Sequence, residues 1–171
     1  MLKKRIIITL TFFDGVLFRT KNFKPDYRYT KNFIDLWSID ELILVDISKK
    51  KNPNKFLEII NFFKENCFVP ITVGGGINTE EYADILFRNG CEKILLGSNS
   101  IINQTLLNRL SLKYGSQAIL QSINFKKKNN EYYATSNNGK NIIQEDSLKI
   151  IKNLIKNGAG EILINNVDND G

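Results

Sequence analysis

The sequence contains no histidine, so it lacks the most frequent general base and the most frequent metal-binding side chain of proteins. Its two cysteines, Cys67 and Cys91, stand apart and show no metal-binding or redox spacing. We expect both thiols to be buried, as in proteins of the reducing cytoplasm. The composition therefore predicts a cytoplasmic protein with no metal site and no resident cofactor.

Long apolar runs are also missing. No stretch reaches the roughly 18 residues that a membrane-spanning helix requires. The run "RIIITLTFF" at 5–13 follows basic residues, but no small-residue cleavage site comes after it. This run predicts a buried strand, and we expect no membrane association.

The residues that are present predict one globular domain over 1–171, since 42% are hydrophobic and 25% are charged. The net charge is +6, with lysine runs at 49–51 and 126–128. Both runs fall in expected loops and lack interleaved aromatic residues, so they indicate solvated surface, not a nucleic-acid interface.

The chain alternates between predicted strands and helices. Strands are predicted at 5–11, 41–47, 69–73, 93–96, 118–124 and 161–165, and helices at 32–37, 53–66, 79–89, 104–113 and 147–157. The stripe Phe56, Ile59, Ile60 and Phe63 supports the second helix, and Tyr82, Ile85 and Leu86 are expected to face inward in the third. Residues 16–20 could return as a short hairpin, 21–29 resemble a polar loop, and 125–141 suggest a polar hairpin.

Alternating strand and helix units with apolar strands predict an α/β fold with a parallel sheet. The segments "IDELILVDIS" (39–48) and "GAGEILINNVD" (158–168) resemble each other, which suggests a barrel of two similar halves. A doubly wound open sheet is the alternative. It would carry a GxGxxG motif after the first strand, and none is present there.

Three glycines, at 74–76, link a strand to a helix that begins near Thr79. Glycines let the backbone approach an anion, and the helix start supplies free N–H groups, so this turn is a candidate phosphate site. The alternative is a tight turn without a ligand.

Polar groups collect at the carboxyl ends of the predicted strands, where barrels carry their chemistry. They are Asp46, Gly75, Gly76, Gly97, Ser98, Asn124, Asn165 and Asp170. For Asp46 and Asp170, loop capping is an equally good interpretation. Four charged residues instead stand at the starts of predicted strands, and could form a salt-bridged ring on the barrel floor: Arg5, Glu41, Lys93 and Glu161. The alternative, which the residues alone favour, is ordinary solvating charge.

Seven stretches, in order along the chain, resemble the cyclase (synthase) subunit family of imidazole glycerol phosphate synthase, from histidine biosynthesis. They are "KRIIITLTFFDG", "NFK", "DELILVDIS", "FVPITVGGGINT", "EKILLGSNS", "YGSQAI" and "GAGEILINNVDNDG". The resemblance implies a (βα)8 TIM barrel. A glutamine amidotransferase would dock on its floor as a heterodimer partner and supply ammonia to a phosphorylated substrate on the opposite face.

The same resemblance implies roles for individual residues. Arg5, Glu41, Lys93 and Glu161 match the family's charged ammonia gate. Gly76 matches a phosphate-binding glycine, and Asp46 and Asp170 match acidic positions at the substrate face. Arg19 stands where a lysine is expected in the first loop, and it can still bind phosphate or carboxylate.

Some residues depart from the family pattern. The two catalytic aspartates are replaced by Thr11 and Asn124, which cannot titrate near neutral pH. A phosphate-site asparagine is replaced by Gly97. A divergent branch, which makes acetamidino groups on bacterial surface sugars, also lacks the first aspartate and carries an asparagine where Asn165 stands. The loop "FKPDYRYT" resembles the corresponding loop of that branch. Members of the branch normally keep an aspartate where this chain has Asn124.

A complete barrel has eight units and about 250 residues. The sequence predicts about six units, which would be a barrel truncated after its sixth strand, either as a fragment or as a shortened copy. Three hypotheses stay open. The first, which the resemblance favours, is an ammonia-using synthase of the divergent branch, making an acetamidino sugar for surface polysaccharide from a phosphorylated or nucleotide-linked small molecule. The others are an authentic histidine-pathway cyclase, and a non-catalytic docking subunit or truncated remnant.

Overall fold

A computed structural model describes residues 4–21, 23–29 and 38–169. Its strands are β1 (Ile7–Phe13), β2 (Val16–Lys21), β3 (Lys24–Arg28), β4 (Glu41–Asp46), β5 (Ile71–Gly74), β6 (Lys93–Leu96), β7 (Ile119–Lys128), β8 (Glu131–Ser136), β9 (Asn141–Ile142) and β10 (Glu161–Asn166). Its helices are α1 (Pro53–Asn66), α2 (Glu80–Arg88), α3 (Asn99–Ile102), α4 (Thr105–Tyr114) and α5 (Ser147–Lys156), with short 3-10 turns at Ser116–Ala118 and Val167–Asn169. All described strands join one sheet.

The wall of this sheet consists of β1, β4, β5, β6, β7 and β10, which run parallel in that order. Each wall strand therefore lies beside the next wall strand along the chain. A doubly wound sheet would reverse this order part-way, so the open-sheet alternative is wrong. The wall curves so far that Arg5, before β1, contacts Glu161, the first residue of β10. The predicted α/β fold with a mostly parallel sheet is confirmed.

Helix α1 shows how the outer layer is attached. Asn52 caps it by accepting a hydrogen bond from the main-chain N–H of Lys55, and Pro53 occupies the first turn, where no N–H is required. The predicted stripe is buried against the sheet, and the Phe63 ring packs edge-on against Phe12 of β1 at 6.1 Å between centroids. Among the described helices, none combines the length and apolarity needed to cross a lipid bilayer.

Alternation along the strands creates two apolar layers. In β4, Leu42 and Leu44 belong to the large core between sheet and helices. Ile43 faces the inside of the curve, where it forms a small second cluster with Leu95 and Leu120.

The predicted polar loop at 21–29 is wrong, because residues 24–28 form strand β3, antiparallel to β2. Every residue of β3 is exposed, so no apolar alternation marks it in the sequence. The β1–β2 hairpin itself is confirmed. The helix predicted at 32–37 lies outside the described residues.

Smaller differences have local causes. Strand β5 begins only at Ile71, since Pro70 has no N–H for the ladder. Ile85 is 40% exposed, so its predicted inward position is wrong; Ala83 and Leu86 form the buried face of α2. Strand β7 extends beyond 124 into the predicted polar hairpin with β8, and the single-turn helix α3 was not predicted.

Both cysteines are buried and unbonded, as predicted. Burial raises the pKa of the Cys91 thiol to about 12. A thiol in this environment is not a nucleophile at neutral pH.

Candidate functional site

The inside of the curve holds a cavity of about 940 Å³, referred to below as the main cavity. Part of its polar lining comes from inward positions of the wall strands. Thr9 and Thr11 project from β1, Ser122 and Asn124 from β7, and Asn165 from β10. Residues from distant parts of the chain therefore face one space.

Asn124 and Asn165 form a side-chain pair. They lie opposite each other in the β7–β10 register, and Asn165 Nδ2 donates to Asn124 Oδ1 at 3.4 Å. Within the described residues, Asn124 Nδ2 and Asn165 Oδ1 are left without a hydrogen-bond partner. The pair consequently offers the main cavity one donor group and one acceptor side by side.

Thr11, the other substituted family position, is held by its hairpin. Its hydroxyl donates to the main-chain carbonyl of Phe18 in β2. A hydroxyl engaged in this way ties β1 to β2 at the wall of the main cavity.

Asp46 is the one carboxylate among the described residues that line the main cavity. It is 6% exposed, and its Oδ1 accepts from the main-chain N–H of Ser48 at 2.8 Å and from the Ser48 hydroxyl. This geometry is that of a loop cap. It matches the capping interpretation of Asp46, and a direct substrate role stays a prediction.

The glycine turn, Gly74 to Gly76, begins with the last residue of β5 and leads to α2, which Thr79 caps by accepting from the Tyr82 N–H. Gly75 has φ +108°, and a Cβ there would lie 2.1 Å from the carbonyl oxygen of Asp46. Only glycine fits where the ends of β4 and β5 approach so closely. The predicted strand, glycine turn and helix are confirmed as structure.

The next turn, Gly97 and Ser98, follows β6 and is supported from behind by Gln121. This wholly buried side chain donates through Nε2 to the Gly97 carbonyl at 3.1 Å, and its Oε1 lies 2.6 Å from the hydroxyl of Ser100. Apart from its chain neighbours, none of the described residues places a heavy atom within 4 Å of the position of a Gly97 Cβ. Gln121 was not predicted as a site residue, although a lone glutamine in an apolar strand is a usable signal.

At the opposite end of the wall, four side chains form the charged ring, consisting of Arg5, Glu41, Lys93 and Glu161. Arg5 donates to Glu41 at 3.0 Å and to Glu161 at 3.1 Å. Lys93 donates to Glu41 at 3.1 Å and to Glu161 at 2.8 Å. Positive and negative charges therefore alternate around a closed circuit, which is the ring proposed from the sequence.

The two carboxylates of the charged ring differ in exposure. Glu41 is 1% exposed and also accepts from the hydroxyl of Thr72 at 2.8 Å. Glu161 is one-third exposed. Burial alone would raise the pKa of Glu161, but hydrogen bonds and charges from Lys93 and Arg5 outweigh it and hold that pKa below its ordinary value.

Comparison with known proteins adds to this geometry. Residues 10–171 match the family model described as "Histidine biosynthesis protein". The chain belongs to this family. Membership agrees with the sequential parallel wall and with its curvature into a barrel.

Named relatives of this family member are similar over the whole chain. A protein of Parasynechococcus marenigrum (strain WH8102), whose name of imidazole glycerol phosphate synthase subunit hisF2 is provisional, is 38% identical, covering 100% of this chain and 67% of the relative. The imidazole glycerol phosphate synthase subunits HisF of Chlorobium chlorochromatii and Flavobacterium johnsoniae are each 34% identical, covering 100% of this chain and 70% of each relative.

Three further residues of this family member bear on the candidate site. Arg19 lines the main cavity and is paired with Asp26 of β3. Asp170 lies outside the described residues, so its role stays a prediction. Lys51, assigned to solvated surface from the sequence, instead lies over Gly76 and lines the main cavity. Among the described residues, no three cysteine or carboxylate side chains converge to hold a metal ion.

Proposed function

We propose that this chain is a cyclase-like subunit of the imidazole glycerol phosphate synthase type. It receives ammonia from a glutamine amidotransferase at the charged ring and delivers it to an acceptor in the main cavity. The names of the relatives support the type of subunit. The observation that carries the proposal is the closed charged ring at one end of a curved wall whose other end holds a polar cavity.

The apolar layer between these two ends favours ammonia over ammonium. Ile43 and Leu95 stand two positions after the ring residues of their strands, and they form an apolar cluster with Leu120. Leu95 also lines the main cavity, so this cluster adjoins both the charged ring and the cavity. Transfer of an unpaired ammonium ion into such a layer is far more costly than transfer of neutral ammonia. The charged ring would open by movement of Arg5 or of Lys93, because each of these side chains joins both carboxylates.

The acceptor chemistry does not require a titrating side chain. The two family aspartate positions are Thr11 and Asn124, and the carboxylate of Asp46 is engaged by Ser48. Ammonia is itself the nucleophile, so the protein has to position an electrophilic carbon and orient its oxygen.

We infer an acetamido sugar as the acceptor. An acetamido group carries one carbonyl acceptor and one N–H donor, which is the complement of Asn124 Nδ2 and Asn165 Oδ1. Ammonia would replace the amide oxygen, giving an acetamidino group and releasing water. The glycine turn and the Gly97–Ser98 turn would hold the phosphate of the phosphorylated or nucleotide-linked sugar.

Glutamine hydrolysis tests the ammonia part. The chain is co-purified with a candidate amidotransferase, and glutamate release is measured with and without it. We expect stimulation, and we expect Arg5→Ala and Glu161→Ala to change it, whereas Glu145→Ala, in an exposed pair with Lys149, does not. Stimulation that is indifferent to both ring substitutions would rule out the gate.

Product analysis tests the acceptor. With a nucleotide-linked acetamido sugar, we expect an acetamidino product by mass spectrometry. Asn124→Asp keeps the oxygen that accepts from Asn165 but loses the N–H donor, so acceptor affinity should fall about tenfold. An unchanged affinity would remove the amide pair from the proposal.

The second candidate is the histidine-pathway cyclase itself, favoured by the names of the relatives. Its test restores the acids, as Thr11→Asp together with Asn124→Asp. Cyclase turnover should then rise with the histidine-pathway intermediate as substrate. If turnover stays the same, this candidate is excluded, and stimulation of glutaminase without any product would leave a docking subunit.

A further inference from the structure

Lys51 is placed by the loop that follows β4, yet its side chain crosses to the glycine turn. A Cβ on Gly76 would lie 2.6 Å from Lys51 Cε, so the aliphatic stem covers that glycine directly. The ammonium donates to the main-chain carbonyl of Asp46 at 2.6 Å and lies 3.4 Å from Asp46 Oδ2. Its side chain is 31% exposed, and it lines the main cavity.

This arrangement differs from a surface ion pair. The short contact of Lys51 is to a main-chain carbonyl, while Oδ1 of the Asp46 carboxylate is already engaged by Ser48. An ammonium has three N–H donors, so at least one stays available on the cavity side. The neighbouring residues Lys49 and Lys50 are exposed and do not line the main cavity.

The distribution of cationic side chains also favours Lys51 as the residue that contacts an anion at the glycine turn. The other cationic side chain among the described lining residues, Arg19, is engaged by Asp26 on the hairpin. At the second turn, Gly97 contributes no side chain and leaves open space. The glycine turn offers main-chain N–H groups, and the stem of Lys51 lies over Gly76 while its ammonium is bound to the neighbouring Asp46 carbonyl.

We propose that Lys51 is a phosphate-binding residue, which holds the phosphate of a phosphorylated substrate between its ammonium and the N–H groups of the glycine turn. The assignment rests on the phosphate site of the proposed function. Asp46 acts as its positioning residue, because its carbonyl and carboxylate fix the ammonium above Gly76. Charge-assisted hydrogen bonds of this kind give a binding site a preference for phosphate over a neutral hydroxyl group.

The test is a titration of the full chain with inorganic phosphate. The backbone amide signals of Gly75, Gly76 and Ser98 in NMR spectra report the binding. Lys51→Met removes the charge and keeps the stem. We expect its dissociation constant for phosphate to rise about tenfold or more. Lys50→Met is the matched control and should stay within about twofold of the unchanged chain, and Lys51→Arg should recover most of the affinity.

A second background separates phosphate binding from simple neutralisation of Asp46. If Lys51 only balances that carboxylate, Lys51→Met should cost nothing once Asp46→Asn has removed the charge. If Lys51 contacts phosphate, the loss persists in the Asp46→Asn background. Amide dispersion in the same spectra reports whether each variant is folded.

Two results would overturn the assignment. One is a phosphate affinity of Lys51→Met equal to that of the unchanged chain, and the other is an absence of phosphate response at Gly75 and Gly76 in the unchanged chain. Neither result bears on ammonia delivery, which glutaminase stimulation decides separately.

Discussion

Replacing Glu41 with glutamine is expected to lower the free energy of unfolding by about 3 kcal/mol, the lower end of the cost of breaking a buried ion pair. Glu41 is 1% exposed and accepts from Arg5, Lys93 and Thr72. Glutamine keeps the volume and one oxygen but removes the charge. Lys93, which is only 15% exposed, is then left with Glu161 as its single carboxylate partner.

The assay is urea unfolding followed by far-ultraviolet circular dichroism, with a thermal scan as a second readout. For a chain of this size, about 3 kcal/mol corresponds to a fall of about 6–12 °C in Tm. Glu161→Gln is the matched comparison within the charged ring, and its greater exposure limits the expected loss to about 1 kcal/mol. Glu145→Gln, in the exposed pair with Lys149, should change stability by less than about 0.5 kcal/mol.

Equal losses for Glu41→Gln and Glu161→Gln would refute the reasoning, since burial would then not decide the cost. So would a Glu41→Gln variant as stable as Glu145→Gln. The charged ring would in that case be a set of independent solvated charges.

Three further perturbations have defined outcomes. Gly75→Ala places a Cβ 2.1 Å from the Asp46 carbonyl oxygen and should lower the free energy of unfolding by at least about 2 kcal/mol. Gly76→Ala meets only the flexible Lys51 side chain and should lower it by about 1 kcal/mol. Thermal unfolding measures both, and a larger loss for Gly76→Ala would contradict the geometry. Cys91 should resist Ellman's reagent in the folded chain and react after unfolding, and rapid native labelling would show that it is accessible. Because the pKa of Glu161 is depressed, its stabilisation is present above the unfolded pKa and lost as pH falls through the folded pKa. In a plot of the urea unfolding midpoint against pH, Glu161→Gln should therefore reduce the fall of the midpoint at acidic pH. An unchanged fall would exclude this contribution of Glu161.

The fold was largely predictable where apolar periodicity is strong. Helix α1 has the predicted bounds because its four apolar residues recur at helical spacing and Asn52 and Pro53 mark its start. Strand β3 was missed because all its residues are exposed, so its pairing with β2 leaves no apolar pattern in the sequence.

The lining of the main cavity was predictable only in its short side chains. Asn124 and Asn165 follow from strand ends, since inward positions alternate and parallel carboxyl ends share a face. Lys51 could not be placed in this way. Its long stem crosses from one loop to another, and the position of the ammonium depends on the tertiary approach of β4 and β5.

The sequential wall has a consequence for the order in which the protein forms on the ribosome. Each wall strand finds its neighbour in the wall strand synthesised before it, so the sheet can grow as the chain emerges. Arg5 is 36 positions from Glu41 but 156 positions from Glu161. A nascent chain that had formed the wall only as far as β6 would therefore hold Arg5 and Lys93 against Glu41 alone, with surplus positive charge until Glu161 is added.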